Sequence, residues 1–176
     1  LPSTVFDIMF PKLTASVAKS GERVKVLDQE LRSYIQRIAE MHSKENPFHG
    51  FDLASQVLLR VNFLWENWAE HLSDDPWDAF MMLFAALIHG VKHSGVTDAQ
   101  LEIENDVLCQ IYKQSYHQRS SFDLAFELLE EEFEGLHEEI VYGCPTFRST
   151  VRKLVLCTDV ETEEKVLRSL RTFHEV

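Results

Sequence analysis

The sequence predicts an all-α fold, an irregular helical bundle, on three observations. Apolar residues recur at spacings of three and four along most of the 176-residue chain. Only six glycines and five prolines interrupt the chain, so long regular elements are expected. No segment shows the strict alternation of apolar and polar residues that is typical of a half-buried strand. With 45% hydrophobic and 26% charged residues, the chain has the composition of one globular domain that can bury a core.

The first 22 residues are predicted to form an arm or a short helix, ahead of a helical domain over residues 23–176. From Val24 the helical period is clear, and Asn46-Pro47 ends that helix. The next helix is predicted over residues 51–72. Its apolar residues share one face, which consists of Leu53, Val57, Val61, Leu64 and Trp68.

The segment Ser73-Asp74-Asp75-Pro76 is a cap-and-restart signal for a third helix over residues 77–89. That helix is apolar nearly all round, which predicts deep burial. A turn over residues 90–97 leads to a short helix capped by Thr97-Asp98, and another helix begins near Ser120 with a solvated acidic face. Tyr142-Gly143-Cys144-Pro145 ends the following segment. The last helical region is predicted over residues 146–158 and, after a break near Asp159, over residues 161–174.

Charge and cysteine usage exclude several classes of function. The net charge of −12 repels phosphate backbones and anionic lipid surfaces, so a nucleic-acid partner is not expected. No apolar run is long enough for a membrane span. The three cysteines, Cys109, Cys144 and Cys157, form no CxxC pair, which favours an intracellular, reducing compartment, either the cytoplasm or the interior of an organelle.

Two histidine groups are candidates for chemistry. One surrounds His49, and the other contains His89 and His93. A pair at positions i and i+4 lies on one face of a helix and can chelate a divalent ion. By spacing alone, however, such a pair is more typical of a polar core pair or of surface residues, and Gly90 weakens the helix between the two rings.

The same two segments carry a family resemblance. Residues 46–54 read Asn-Pro-Phe-His-Gly-Phe-Asp-Leu-Ala, and residues 85–96 read Ala-Ala-Leu-Ile-His-Gly-Val-Lys-His-Ser-Gly-Val. In order and separation they resemble the two histidine motifs of the class I 3',5'-cyclic nucleotide phosphodiesterase catalytic-domain family, most closely its microbial and algal branches. Residues 31–39, 120–129 and 154–159 resemble further helices of that family. The resemblance implies the N-terminal part of a phosphodiesterase catalytic domain.

The resemblance also implies where the metal ligands of the family would fall. In the family, two His and two Asp hold zinc and a second ion, usually magnesium, which generate the attacking hydroxide. The first metal His falls on Leu53, the second is kept as His89, and the bridging Asp is replaced by Gly90. The fourth ligand, an Asp, is expected beyond Asp159, and the chain ends at Val176 without it. We therefore expect no bound metal or other cofactor.

Other family positions are kept without a metal centre to serve. His49 matches the general acid, and His93 matches the histidine that supports the metal ligands. The asparagine that follows the first His in the family is replaced by Gly50. A later Asn-Asp and a His pair are replaced near Lys113-Gln114 and Ser120-Ser121. We expect His49, His89 and His93 to be relics, with no functioning catalytic residue.

Three functions remain open at this level. The first is an inactive phosphodiesterase-like domain that acts as a structural or interaction subunit of a larger assembly. A protein partner or a second copy would then cover exposed apolar helices, with contact aromatics among Phe63, Trp65, Trp68, Trp77 and Phe80. The second is a fragment of an active phosphodiesterase, which would need zinc and magnesium and substitute ligands such as Asp52, His93 or Glu102. The third is a sensor that binds a nucleotide without turnover.

Overall fold

The computed structural model describes residues 1–17, 21–43, 46, 48–73 and 75–159, with the side chains of residues 69–72 left aside. Within these residues the chain forms α-helices and no strand, which confirms the predicted fold class. The helices are α1 (Pro2–Ser16), α2 (Gly21–Met41), α3 (Phe51–Leu72), α4 (Pro76–Ile88), α5 (Asp98–Glu104), α6 (Val107–Ile111), α7 (Tyr116–Glu132), α8 (Glu134–Gly143) and α9 (Phe147–Leu156). Among the described helices, none is both long and apolar enough to cross a bilayer.

The core is built around α4, which contacts α1, α3, α7 and α9. Phe84 is fully buried, and its ring lies 5.5 Å from Tyr34, 5.6 Å from Phe126 and 5.2 Å from Phe147. Buried aromatic pairs of this kind stabilise a fold beyond the area that they remove from water, by about 0.5–1.5 kcal/mol each. The hydroxyl of Tyr34 donates a hydrogen bond to the carbonyl of Ala125, so the one polar atom of this cluster is satisfied.

The opening segment is a helix rather than an arm. α1 buries Val5, Phe6, Met9 and Leu13, and these side chains belong to the same core cluster as α4. Their spacing of three and four places them on one helical face. The first helix is therefore packed into the domain, while the boundary predicted at residue 22 stays a prediction.

α3 has the predicted bounds, but its buried face differs from the expected one. The buried residues of its first four turns are Ala54, Ser55, Leu58 and Trp65, and Leu58 belongs to the hydrophobic core cluster. The predicted apolar face lies beside them and is only partly covered. We call it the α3 stripe, and it consists of Leu53, Val57, Val61, Leu64 and Trp68. Leu53 is 36% exposed, Leu64 is 53% exposed and Trp68 is 59% exposed.

α4 begins as predicted. The Asp75 side chain accepts a hydrogen bond from the Trp77 backbone N–H, and Pro76 occupies the first turn, where its missing N–H costs nothing. Trp77 and Phe80 are buried, as is Trp65 of α3, so these three are core residues. Of the five candidate contact aromatics, Phe63 and Trp68 are exposed.

The second half of the chain follows the prediction with one shift. The Thr97 side chain caps α5 by accepting from the Gln100 N–H. α7 begins at Tyr116, four residues before the predicted Ser120, and its acidic residues Glu127 and Glu130 to Glu132 are exposed as expected. α8 ends at Gly143, and the close approach of Trp77 requires a glycine at this position, because an added Cβ would lie 2.3 Å from Cζ2 of Trp77. The helix predicted over residues 161–174 lies outside the described residues.

Candidate functional site

A cavity of about 430 Å³ lies where α3, α4 and α9 meet the loop after α4. Five of its lining residues are polar: His49, His89, His93, Gln118 and Thr158. The remainder of the lining is aliphatic or contains methionine: Leu53, Val57, Val61, Met82, Ala85, Ala86 and Leu154. Among the residues that the structure describes, the lining contains no Lys, Arg, Asp or Glu. All three candidate histidines line this one cavity.

Asn46 joins the two histidine segments. Its side-chain oxygen accepts hydrogen bonds from the backbone N–H groups of Phe48 (3.1 Å) and His49 (3.0 Å). Its amide nitrogen donates to the carbonyl of His93 at 3.0 Å. Gly95, at φ +91°, lies so close that an added Cβ would be 3.0 Å from the Asn46 amide nitrogen. A short polar side chain here fixes both loops at once, a role that the sequence analysis did not assign.

His89 and His93 do not share a helix face. α4 ends at Ile88, and residues 89–92 form turns in which the Val91 N–H donates to Ile88 and the His93 N–H donates to Gly90. Lys92 lies in the left-handed region at φ 54°, which no regular helix contains. Gly90 and Lys92 end the helix between the two rings, so the i, i+4 geometry that would let this pair chelate an ion is not formed.

Three imidazole rings are stacked beside the cavity. His49 and His93 are parallel within 9° at a centroid distance of 3.7 Å, and His93 and His117 within 14° at 3.8 Å. His117 lies in the first turn of α7 and is buried. It was not among the candidate residues, because the sequence pattern placed the start of α7 at Ser120, beyond His117. Stacked rings present their faces to each other, so their nitrogens do not converge on a common point.

Hydrogen bonds assign the proton positions on these rings. Nδ1 of His89 lies 2.8 Å from the carbonyl of Ala86, so Nδ1–H donates and Nε2 is left as the acceptor. Nδ1 of His93 accepts from the Gly95 N–H at 3.0 Å, so a neutral His93 carries its proton on Nε2. Nε2 of His117 donates to the carbonyl of Val96 at 3.1 Å.

Burial keeps these histidines neutral. It lowers the pKa of His49, His89 and His117 below the ordinary value of 6.5. Burial, together with the neighbouring rings of His117 and His49, lowers the pKa of His93 to about 3. A protonated ring would have to leave water and lie against another ring without a counter-charge in the cavity lining. The three histidines that line the cavity, His49, His89 and His93, are thus uncharged at neutral pH.

Leu53 and Gly90 lie where the resemblance implies metal ligands. Leu53 lines the same cavity as His89, and an added Cβ at Gly90 would be 3.8 Å from Nε2 of His42 and 3.8 Å from the carbonyl oxygen of His49. These are ordinary contacts, so the backbone would accept a side chain at position 90. Among the described residues, no three His, Cys, Asp or Glu side chains come together to hold a metal ion. The side chains present here do not fit a two-metal centre.

Two buried polar atoms in the described part of the chain lack a hydrogen-bond partner, and both lie near this site. They are Nε2 of His42 and Oε1 of Gln118. Nδ1–H of His42 donates to the carbonyl of Ile38 at 2.9 Å, so its other nitrogen is a lone-pair acceptor beside Gly90. No sequence pattern singled out either residue, because the burial of these two atoms arises only when segments distant in the chain pack together.

The fold has a counterpart among solved structures. The phosphodiesterase domain of a rhodopsin phosphodiesterase from Salpingoeca rosetta superposes with a TM-score of 0.72 at 24% identity, over 89% of this chain and 53% of that one. At this identity the likeness establishes the fold: an all-helical domain of the phosphodiesterase type.

The family model described as 3'5'-cyclic nucleotide phosphodiesterase matches residues 48–176. The chain belongs to that family, which confirms the family resemblance. A Drosophila melanogaster 3',5'-cyclic-AMP phosphodiesterase, isoform F, is 28% identical over 155 residues, covering 81% of this chain. The Dictyostelium discoideum 3',5'-cyclic-AMP phosphodiesterase 4 is 26% identical over 81% of this chain. A mouse dual specificity calcium/calmodulin-dependent phosphodiesterase 1C is 24% identical over 85% of it.

This chain matches only part of those proteins. It covers 22% of the Drosophila protein, 14% of the Dictyostelium protein and 22% of the mouse protein. Family membership and fold are therefore established for this domain. Its activity and partners are matters for proposal.

Proposed function

We propose that this domain is a catalytically inactive member of the phosphodiesterase family that acts as a protein-interaction subunit. The observation that carries the proposal is the pair Leu53 and Gly90, which stands at the cavity where the family resemblance implies a His and an Asp. A leucine side chain offers no lone pair, and a glycine offers no side chain. Without a metal-activated water, His49 has no developing charge to assist.

The contact surface of the proposal is the outer end of the α3 stripe. Leu64 and Trp68 are both more than half exposed, and they continue the line of Leu53, Val57 and Val61 out of the cavity. Large aromatic side chains such as Trp68 supply most of the binding energy in many interfaces. The partner is another protein or a second copy of the chain.

Metal content is the first test. The purified chain is equilibrated with zinc and magnesium, dialysed and measured by elemental analysis. We expect less than about a tenth of an equivalent of zinc to remain, because His89 alone is too weak a site. One or two equivalents that are lost in His89→Ala would overturn the proposal and support the alternative, a metal-dependent cyclic nucleotide phosphodiesterase seen as a fragment.

Restoring the two ligand positions sharpens this test. The double variant Leu53→His, Gly90→Asp replaces the two positions that the resemblance implies were lost, and the 3.8 Å contacts at Gly90 leave room for the new side chain. We expect zinc retention to rise at least about tenfold in the double variant. The matched control, Leu59→His with the same Gly90→Asp, places its histidine on the exposed far side of α3. If both variants bind zinc equally, the assignment of position 53 is wrong.

The interaction role is tested by photo-crosslinking. A benzophenone amino acid at position 68 is compared with the same group at position 131, where Glu131 is exposed on α7. We expect a discrete crosslinked species from position 68, and light scattering of the purified chain tells a second copy from a different protein. Equal labelling from the two positions would contradict a defined contact surface.

A further inference from the structure

The cavity has a ligand preference that can be derived from its lining. Its volume of about 430 Å³ lies in the range of small-molecule pockets. Three different helices supply its apolar wall: α3 contributes Leu53 and Val57, α4 contributes Met82 and Ala86, and α9 contributes Leu154. A concave, mainly apolar wall with a small number of polar groups is the usual design of such pockets.

The described residues of the lining carry no formal charge, and this favours one chemical class of ligand. A phosphate or carboxylate in this cavity would lose its hydration without meeting a Lys, an Arg or a counter-ion among the lining residues. The parallel stack of His49 on His93 is an arrangement of neutral rings, since two charged rings 3.7 Å apart would repel each other. The described lining therefore favours an uncharged ligand over an anionic one.

Two histidines of the lining, His89 and His93, offer complementary hydrogen-bonding atoms, one acceptor and one donor. Because Nδ1–H of His89 is held by the carbonyl of Ala86, Nε2 of His89 is an acceptor. Because Nδ1 of His93 accepts from the Gly95 N–H, Nε2–H of His93 is a donor. Both residues line the cavity, so a ligand with one N–H or O–H group has a partner there.

We propose that this cavity, whose lining includes Leu53, Met82 and His89, binds an uncharged, mainly apolar small molecule that carries one hydrogen-bonding group. The site goes beyond the interaction role, which uses the outer end of the α3 stripe. It shares with that role the expectation that no metal ion occupies the cavity.

A matched pair of fluorescent probes tests the proposal. N-phenyl-1-naphthylamine is neutral and has one N–H group, and 8-anilinonaphthalene-1-sulfonate has the same ring skeleton with a sulfonate added. We expect saturable, blue-shifted fluorescence from the neutral probe at one equivalent, and binding of the sulfonate at least about tenfold weaker. Equal affinity for the two probes, no saturable binding, or displacement of the neutral probe by cyclic AMP would each overturn the proposal.

The site is located with variants and methyl signals. Leu53→Asp should weaken binding of the neutral probe at least about tenfold, because it places a carboxylate in the lining. Leu59→Asp, on the exposed far side of the same helix, should leave binding unchanged. With methyl-labelled methionine, the probe should shift the Met82 signal and not that of the fully buried Met9. Equal effects of the two variants, or an unmoved Met82 signal, would place the probe elsewhere and overturn the proposal.

Elemental analysis of the same sample separates the two proposals. Bound zinc together with failed probe binding contradicts both of them. A metal-free chain that fails to bind the probe contradicts the ligand site alone. If formation of the crosslink to the partner displaces the probe, a partner side chain is the occupant of the cavity. That result would overturn the small-molecule assignment.

Discussion

The two faces of α4 differ in what surrounds them, although both are apolar. Phe80 and Phe84 face the aromatic cluster with Tyr34 and Phe147, and all four side chains are fully buried or nearly so. On the other side of the helix, Ala85 and Ala86 line the open cavity with Met82. The large side chains stand where packing requires them, and small side chains stand where space is left for another molecule. The comparison teaches that one face of α4 is used for packing the core, while its other face forms part of the wall of a cavity.

The largest expected effect belongs to the packed face. Phe84→Ala should lower the free energy of unfolding by about 3–5 kcal/mol, because it removes a fully buried ring that contacts four other rings. Chemical denaturation followed by circular dichroism measures this loss. A loss below about 1 kcal/mol would mean that the two faces of α4 do not differ as described.

A pair of leucines on α3 compares the packed and open sides directly. Leu58 is fully buried and Leu53 is 36% exposed. Leu58→Ala should cost about 2–5 kcal/mol, and Leu53→Ala less than about 1 kcal/mol, since truncation at an open site leaves no enclosed void. The same denaturation assay on both variants checks the difference. Equal losses would show that something covers Leu53 as fully as the core covers Leu58.

Acid should destabilise the folded protein through the histidines beside the cavity. Their pKa values are lowered in the folded state, that of His93 to about 3, whereas in the unfolded state they are near 6.5. Below pH 6.5 the unfolded chain therefore binds protons that the folded chain does not, and stability falls as the pH drops from 6.5 towards 3. We expect the melting temperature to fall by about 5 °C between pH 7 and pH 5.

The control for this acid effect is His93→Gln, which removes the most shifted group. Thermal melts of this variant should depend less on pH between 7 and 5 than those of the parent chain. An unchanged slope would assign the acid sensitivity to other groups.

The smallest effect concerns the loop that frames the cavity. Asn46→Ala removes two hydrogen bonds accepted by its oxygen and one donated by its nitrogen. We expect a loss of about 1–2 kcal/mol in stability. The stacked rings of His49 and His93 should also separate, which histidine ring resonances in NMR spectra would report. An Asn46→Ala variant with unchanged ring resonances would show that the stack holds the two segments together by itself.

The helices were predictable where local signals are strong. The start of α4 follows from Asp75 and Pro76, and the bounds of α3 from its apolar period, because caps and periodicity act within a few residues. The start of α7 was misplaced because Ser115, at φ 51°, bonds to Asp159 far along the chain at 2.6 Å. No local pattern reports a contact of that range.

The candidate site divides in the same way. The resemblance located His49, Leu53, His89 and Gly90, and the structure brings all four to one region. It did not locate His117, the link made by Asn46, or the side of α3 that is buried. Periodicity alone cannot tell the core face of α3 from the neighbouring α3 stripe, since both carry apolar residues at helical spacing.

By itself, the sequence determined the class of fold and the family, because residue identity and local spacing are written in the chain; the assignment of Leu53 and Gly90 to two metal-ligand positions stays a prediction from the resemblance. The tertiary structure alone decided which apolar residues became core and which became the wall of an open cavity. It also decided that three imidazoles stack as neutral rings. Burial and ring stacking depend on groups brought together from α3, α4, α7 and their loops, and such contacts exist only once the helices have packed.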